Sequence, residues 1–109
     1  MTFAALRDYG PESALRRFHE AVRDGDAAAI NLAVGPDVSQ AKLDFARAQV
    51  WNLIQQGARY RILKMDRTPT RVGAEVVYTL PNGYPINFYW IMKKERRVWR
   101  VDLNESFRG

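Results

Sequence analysis

A chain of 109 residues, 47% apolar and without cysteine, is long enough to bury one core and holds neither a disulfide nor a reactive thiol. No apolar run approaches the roughly 20 residues of a membrane span. The net charge of +5 and an isoelectric point near 9.9 permit an anionic partner, and bear on association rather than on fold.

The opening, MTFAALRDYG, has a charge in its middle and no long apolar stretch, so it does not read as a signal peptide. Thr2 to Tyr9 reads as a short helical turn capped by Thr2. The first firm helix begins at Gly10-Pro11, since proline suits the first helical position. Ala14, Leu15, Phe18, Ala21 and Val22 recur at the spacing of one helix face. His19, the sole histidine, stands at the margin of that stripe and is expected at the surface. Gly25 ends the helix in the left-handed conformation. Asp26 caps a second, short helix, AAAINLAV, which stops at Gly35-Pro36. Ser39 or Asp37 caps a third, with the stripe Leu43, Ala46, Val50, Leu53 and Ile54 and a stop at Gly57. Arg47 and Trp51 lie at the edge of this stripe, one turn apart, and Phe45 lies opposite it.

Turn signals then divide the second half into four strands, near 60–66, 72–80, 84–93 and 97–103. Pro81-Asn82-Gly83 fits a two-residue turn or a three-residue turn with a glycine bulge. A slip of one residue exchanges every side chain between faces. The three-residue turn pairs Tyr78 with Ile86, Val76 with Phe88, Ala74 with Trp90 and Val72 with Met92, apolar against apolar, and is preferred. A last turn at Glu95-Arg96 pairs Met92 with Trp99, Trp90 with Val101 and Phe88 with Leu103. Phe88, Trp90, Met92 and Trp99 then point at the helices. The aromatics and the basic residues do not share one surface, as a base-stacking platform requires. Tyr60, Ile62, Glu75, Val77, Asn87, Tyr89, Ile91, Val98, Arg100 and Asp102 form the outer face. Its apolar members Ile62, Val77, Tyr89, Ile91 and Val98 make that face a candidate homodimer surface.

The order of elements predicts an α+β fold: three N-terminal helices packed on the concave face of a curved four-stranded antiparallel sheet, as one domain over residues 1–109. Three helices with AVRDGD between the first two, then a sheet ending in KKERRVWRVDL, resemble the nuclear transport factor 2-like superfamily. This is the cone-shaped fold also seen in ketosteroid isomerase and polyketide cyclases. The resemblance runs from about Pro11 to Leu103 and is greatest to small members without an assigned activity. It implies a pocket between sheet and helices and frequent dimers, and it implies no particular reaction. It suits a bacterial protein, cytoplasmic or exported with its leader removed.

Enzymes of such folds use an Asp or His inside the cone as proton carrier. The register leaves Glu75 and Asp102 outside, so no catalytic residue is expected. No metal-ligand cluster, phosphate loop or Ser-His-Asp pattern occurs, and no cofactor is expected. Polar groups directed inward would be Arg61, Tyr78, Tyr84 and the pair Arg47 and Trp51. With Phe88 and Trp90 they form a candidate pocket for a small anionic or aromatic ligand. Arg61 and Tyr84, at strand ends, equally reach water. Lys64, Arg67, Arg71 and Lys93 gather with Lys94, Arg96 and Arg97 along one rim. They offer contact with nucleic acid or a membrane surface, or else a solvated edge that resists aggregation. The expected function is a non-catalytic ligand- or protein-binding module, with isomerase or cyclase chemistry and anionic-surface binding as the alternatives.

Overall fold

The computed structural model describes residues 10–107. The expected turn at Thr2 to Tyr9 lies outside them. Helix α1 (Pro11–Asp24) starts with its proline at the N-terminus. It stops where Gly25, at φ 67°, lets two backbone N–H groups return to the Val22 and Ala21 carbonyls. Asp26 caps α2 (Ala27–Val34) by accepting the Ala29 N–H at 3.1 Å. Ser39, rather than Asp37, caps α3 (Gln40–Gln55). The Asp37 carbonyl instead accepts from the Asn104 amide at 2.8 Å, and the Asn104 side-chain oxygen accepts from the Ser39 N–H. One asparagine from the far end of the chain thus fixes the loop between α2 and α3.

Strands β1 (Arg59–Arg67), β2 (Arg71–Thr79), β3 (Pro85–Glu95) and β4 (Val98–Val101) form one antiparallel meander in chain order. The register of β2 on β3 is the expected one, with Tyr78 opposite Ile86 and Val72 opposite Met92. Three other expectations are corrected.

The last turn sits at Arg96-Arg97, not Glu95-Arg96, so Met92 faces Val101 and Trp99 faces Lys94. Both arginines have positive φ, the sign pattern of a type I′ turn, whose twist matches that of the strands it joins. The register moves by two residues, so no side chain changes face. The move places Met92 and Val101, both fully buried, against each other. Trp99 remains on the inner face, half-buried.

Second, the sheet ends at Val101. Asp102 accepts the Glu105 N–H at 3.0 Å and starts a short helix, α4 (Leu103–Ser106), so Leu103 enters the core from a helix rather than opposite Phe88.

Third, Tyr60 and Ile62 pair with Tyr78 and Val76, which puts them on the inner face, while Arg61 pairs with Val77 outside. A bulge between Ile62 and Lys64 explains this. It shifts the alternation by one, so Tyr60, Ile62 and then Met65 all reach the core side while Leu63 is left exposed. Alternation alone could not reveal that shift.

The core forms where the α1 stripe of Leu15, Phe18 and Val22 meets the inner face of β2 and β3. Trp90, 0% exposed, lies at its centre, with ring centroids of Phe18, Phe88 and Phe107 at 5.7, 5.8 and 5.5 Å. Phe107, just past α4, also meets Phe45 edge-on at 5.3 Å. That contact accounts for an aromatic on the face of α3 opposite its core stripe.

Candidate functional site

Three polar rings from three elements meet inside the cone. His19 is carried on α1 in line with Leu15 and Val22, one turn from each, and is 6% exposed. Its Nδ1 lies 2.8 Å from the Leu15 carbonyl, which can only accept, so Nδ1 bears the proton. In the neutral ring Nε2 is then an acceptor, and the Tyr78 hydroxyl donates to it at 2.5 Å. The Trp90 indole N–H donates to the same Tyr78 oxygen at 3.0 Å. The order Trp90 to Tyr78 to His19 to Leu15 gives every buried donor an acceptor, which a low-dielectric interior requires.

The ionisation behaviour follows from burial. Loss of solvation pushes the His19 pKa down to about 4 from 6.5, against the hydrogen bond to the Leu15 carbonyl. Loss of solvation raises the Tyr78 phenol, against the Trp90 hydrogen bond. Tyr60 is raised for the same first reason. At neutral pH the cluster carries no charge.

A cleft of about 310 Å³ opens beside it, between α1, the C-terminal end of α3 and the start of β1. Its floor is His19, Tyr60 and Tyr78, and Leu53, Ile54 and Ala58 form an apolar wall. The rings of Tyr60 and His19 stack at 4.3 Å, inclined by 22°. Arg16, Glu20, Arg23 and Arg59 surround the mouth. Glu20, the one carboxylate among these lining residues, lies 3.8 Å from Arg16.

The structure distributes the sequence-derived pocket residues over several places. Tyr78 lines the cleft, and Phe88 and Trp90 fill the cone behind it. Arg61 faces outward from the sheet and is exposed. Tyr84, 62% exposed, follows the turn between β2 and β3, its backbone N–H donating to Asn82 Oδ1. Arg47 and Trp51 border a separate groove of about 360 Å³ with Val22, Gly25, Asp44 and Ala48. His19 and Tyr60 were missed as site residues. For His19 the signal existed: its spacing from Leu15 and Val22 equals that of a buried position. For Tyr60 the bulge concealed it.

On the outer face Val77 is half-buried and Tyr89 remains exposed, whereas Val98, also exposed, borders a groove with Ala21 of α1 and Leu32 and Ala33 of α2. Ile91 is 5% exposed, and Ile62 belongs to the inner side, so neither contributes to a surface there. Tyr89 bends over Gly73, where a Cβ would stand 1.9 Å from its hydroxyl. At the basic rim Arg67 meets Glu12 at 2.8 Å and Arg71 meets Glu105 at 3.0 Å. Lys93 holds Glu105 at 3.0 Å and Asp102 at 3.3 Å. Lys93 first, and then Arg71, draw the Glu105 carboxyl down to about 2. Lys64 stands opposite Glu75 in the register. Lys94, Arg96 and Arg97 make no ion pair among the described residues. Among those residues no three His, Cys, Asp or Glu side chains are grouped to hold a metal ion, and no helix is long and apolar enough to cross a membrane.

No family model matches the sequence, and no curated protein matches it. Solved structures do match. A Campylobacter jejuni protein that carries the name NTF2-like transpeptidase superimposes with a TM-score of 0.60 at 14% identity, over 84% of this chain and 96% of the other. An NTF2-like protein of unknown function from Shewanella baltica gives 0.58 at 14% identity, over 84% of each chain. A de novo designed protein with a curved β-sheet gives 0.55 at 16% identity, over 85% of this chain and 94% of the design.

Proposed function

We propose that this chain, which has the NTF2-like α+β fold, is a non-catalytic binding module that takes a small, flat, acidic ligand in the cleft beside Tyr60 and His19. The observation that carries the reading is the state of the inward polar groups. Trp90 donates to Tyr78, Tyr78 to His19 and His19 to the Leu15 carbonyl, and the inner face of the sheet presents no carboxylate. Isomerase or cyclase chemistry needs a base with a free lone pair within reach of substrate. His19 gives its lone pair to Tyr78 instead. The cleft has the composition of a ligand site: an apolar wall, a few convergent polar groups, and at the mouth Arg59, which has no ion pair among the described residues, beside Arg16 and Arg23, which hold Glu20 and Asp24.

The test is a titration of isotope-labelled protein with aromatic carboxylates such as benzoate and naphthoate. Amide shifts confined to Leu53, Ala58, Tyr60 and their neighbours are expected, and Tyr60→Ala abolishes them. Shifts scattered over the surface, or none, overturn the reading.

The exposed Tyr89 beside half-buried Val77 on the outer face supports a homodimer through that face, narrowed from the sequence expectation by the loss of Ile62, Ile91 and Val98. Sedimentation at micromolar concentration is expected to give twice the chain mass. A monomer there removes the dimer.

A further inference from the structure

The turns that follow β1 and β3 lie side by side at one end of the sheet. Arg71 pairs with Lys93, and the Lys94 N–H reaches the Thr70 carbonyl at 2.9 Å. The cations there fall into two groups. Arg67, Arg71 and Lys93 each hold a carboxylate. Lys94, Arg96 and Arg97 are exposed and have no such partner among the described residues.

Two members of the second group also carry backbone strain. Arg96 and Arg97 make their turn at φ 50° and 71°, in the left-handed region that disfavours any residue with a Cβ. Asn-Gly makes the same turn with much less of that penalty, so the hairpin itself has no need of arginine. Val98, the next residue, is 42% exposed, and Trp99 after it is half-buried. Cations at a projecting tip, with an apolar side chain beside them and the intervening Glu95 held toward Arg100 at 3.7 Å, match the boundary between headgroups and acyl chains. A nucleic-acid strand calls for aromatic faces next to the cations. The exposed tyrosines are elsewhere, Tyr84 at the opposite end of the sheet and Tyr89 on its outer face, and Trp99, opposite Lys94, packs against the core.

We infer that these adjoining tips dock on a lipid surface bearing anionic headgroups, with Lys94, Arg96 and Arg97 against the headgroups and Val98 at the acyl boundary. This surface is independent of the ligand cleft.

The test is co-sedimentation of the full chain with vesicles of phosphatidylcholine alone and of phosphatidylcholine mixed with phosphatidylglycerol. Binding is expected only to the mixed vesicles and weakens with added salt. The double variant Arg96→Asn, Arg97→Gly removes both charges and relaxes the turn. It should bind about 25-fold more weakly, about fivefold for each cation, with its melting temperature unchanged or raised. If that variant melts lower, Lys94→Gln takes its place, with about a fivefold loss expected. Equal binding to both vesicles, binding to neither, wild-type binding by the variant, or displacement from vesicles by a DNA oligonucleotide would each overturn the inference.

Discussion

The interior of the cone and the basic rim handle polarity in opposite ways. Inside, three polar rings share four hydrogen-bonding atoms with one carbonyl, and none is charged at neutral pH. At the rim, formal charges stand in water, some paired and some not. The difference is one of solvent. A buried polar group without a partner loses its hydration with nothing in return, so the interior arrangement is tightly specified. A surface cation is hydrated whether or not a carboxylate is near, so pairing there adds little and its absence does little harm. Polar changes inside the cone should therefore register in stability, and changes at the rim should register in binding.

The largest effect tests the packing around the interior relay. Trp90→Ala removes the central ring and leaves the Tyr78 hydroxyl short of a donor; a loss of about 3–5 kcal/mol in chemical denaturation is expected. Next comes pH. In the unfolded chain the His19 imidazole takes up a proton near 6.5, and in the folded chain only near 4. Between these values the unfolded state holds more protons, so stability is full above 6.5 and declines as pH falls through the window. The decline should approach roughly 3 kcal/mol by pH 4, and His19→Gln should flatten it. Tyr78→Phe keeps the ring and removes only the hydroxyl, leaving His19 Nε2 and the Trp90 N–H unpaired; a loss of about 2 kcal/mol is expected in the same assay. The smallest effect belongs to the rim. Glu105→Gln breaks the contacts with Lys93 and Arg71, and should move the melting midpoint only slightly, by an amount that vanishes in high salt. Its depressed pKa acts in a lower window, from 4.5 down to about 2, so the decline between 6.5 and 4.5 should persist in this variant. A larger shift from Glu105→Gln than from Tyr78→Phe would reverse the contrast between the two regions.

Much of the fold was legible because its signals are local. Gly10-Pro11, Gly25, Asp26 and Ser39 mark helix ends through their own backbone chemistry. The Pro81-Asn82-Gly83 turn fixed which face of the sheet receives Trp90. The errors arose where tertiary forces override local preference. Arg96-Arg97 gives no turn signal, yet strand twist and the burial of Met92 against Val101 accompany a turn there. A bulge at Leu63 reassigned Tyr60 and Ile62, and no periodicity encodes where a bulge falls. The candidate site was half legible for the same reasons. Tyr78 and Trp90 followed from the register. His19 needed its partner on a strand 59 residues away, a relation that only the folded chain displays. Arg47, Trp51, Arg61 and Tyr84 share an expected inward direction, and the fold separates them.

The protonation state of one imidazole tests the central claim most directly. Nitrogen-15 NMR of His19 at pH 7 should show the neutral ring with its proton on Nδ1, and a titration midpoint near 4. A proton on Nε2, or a midpoint near 6.5, would mean that Tyr78 does not donate to His19 and that the histidine is free to act on a ligand.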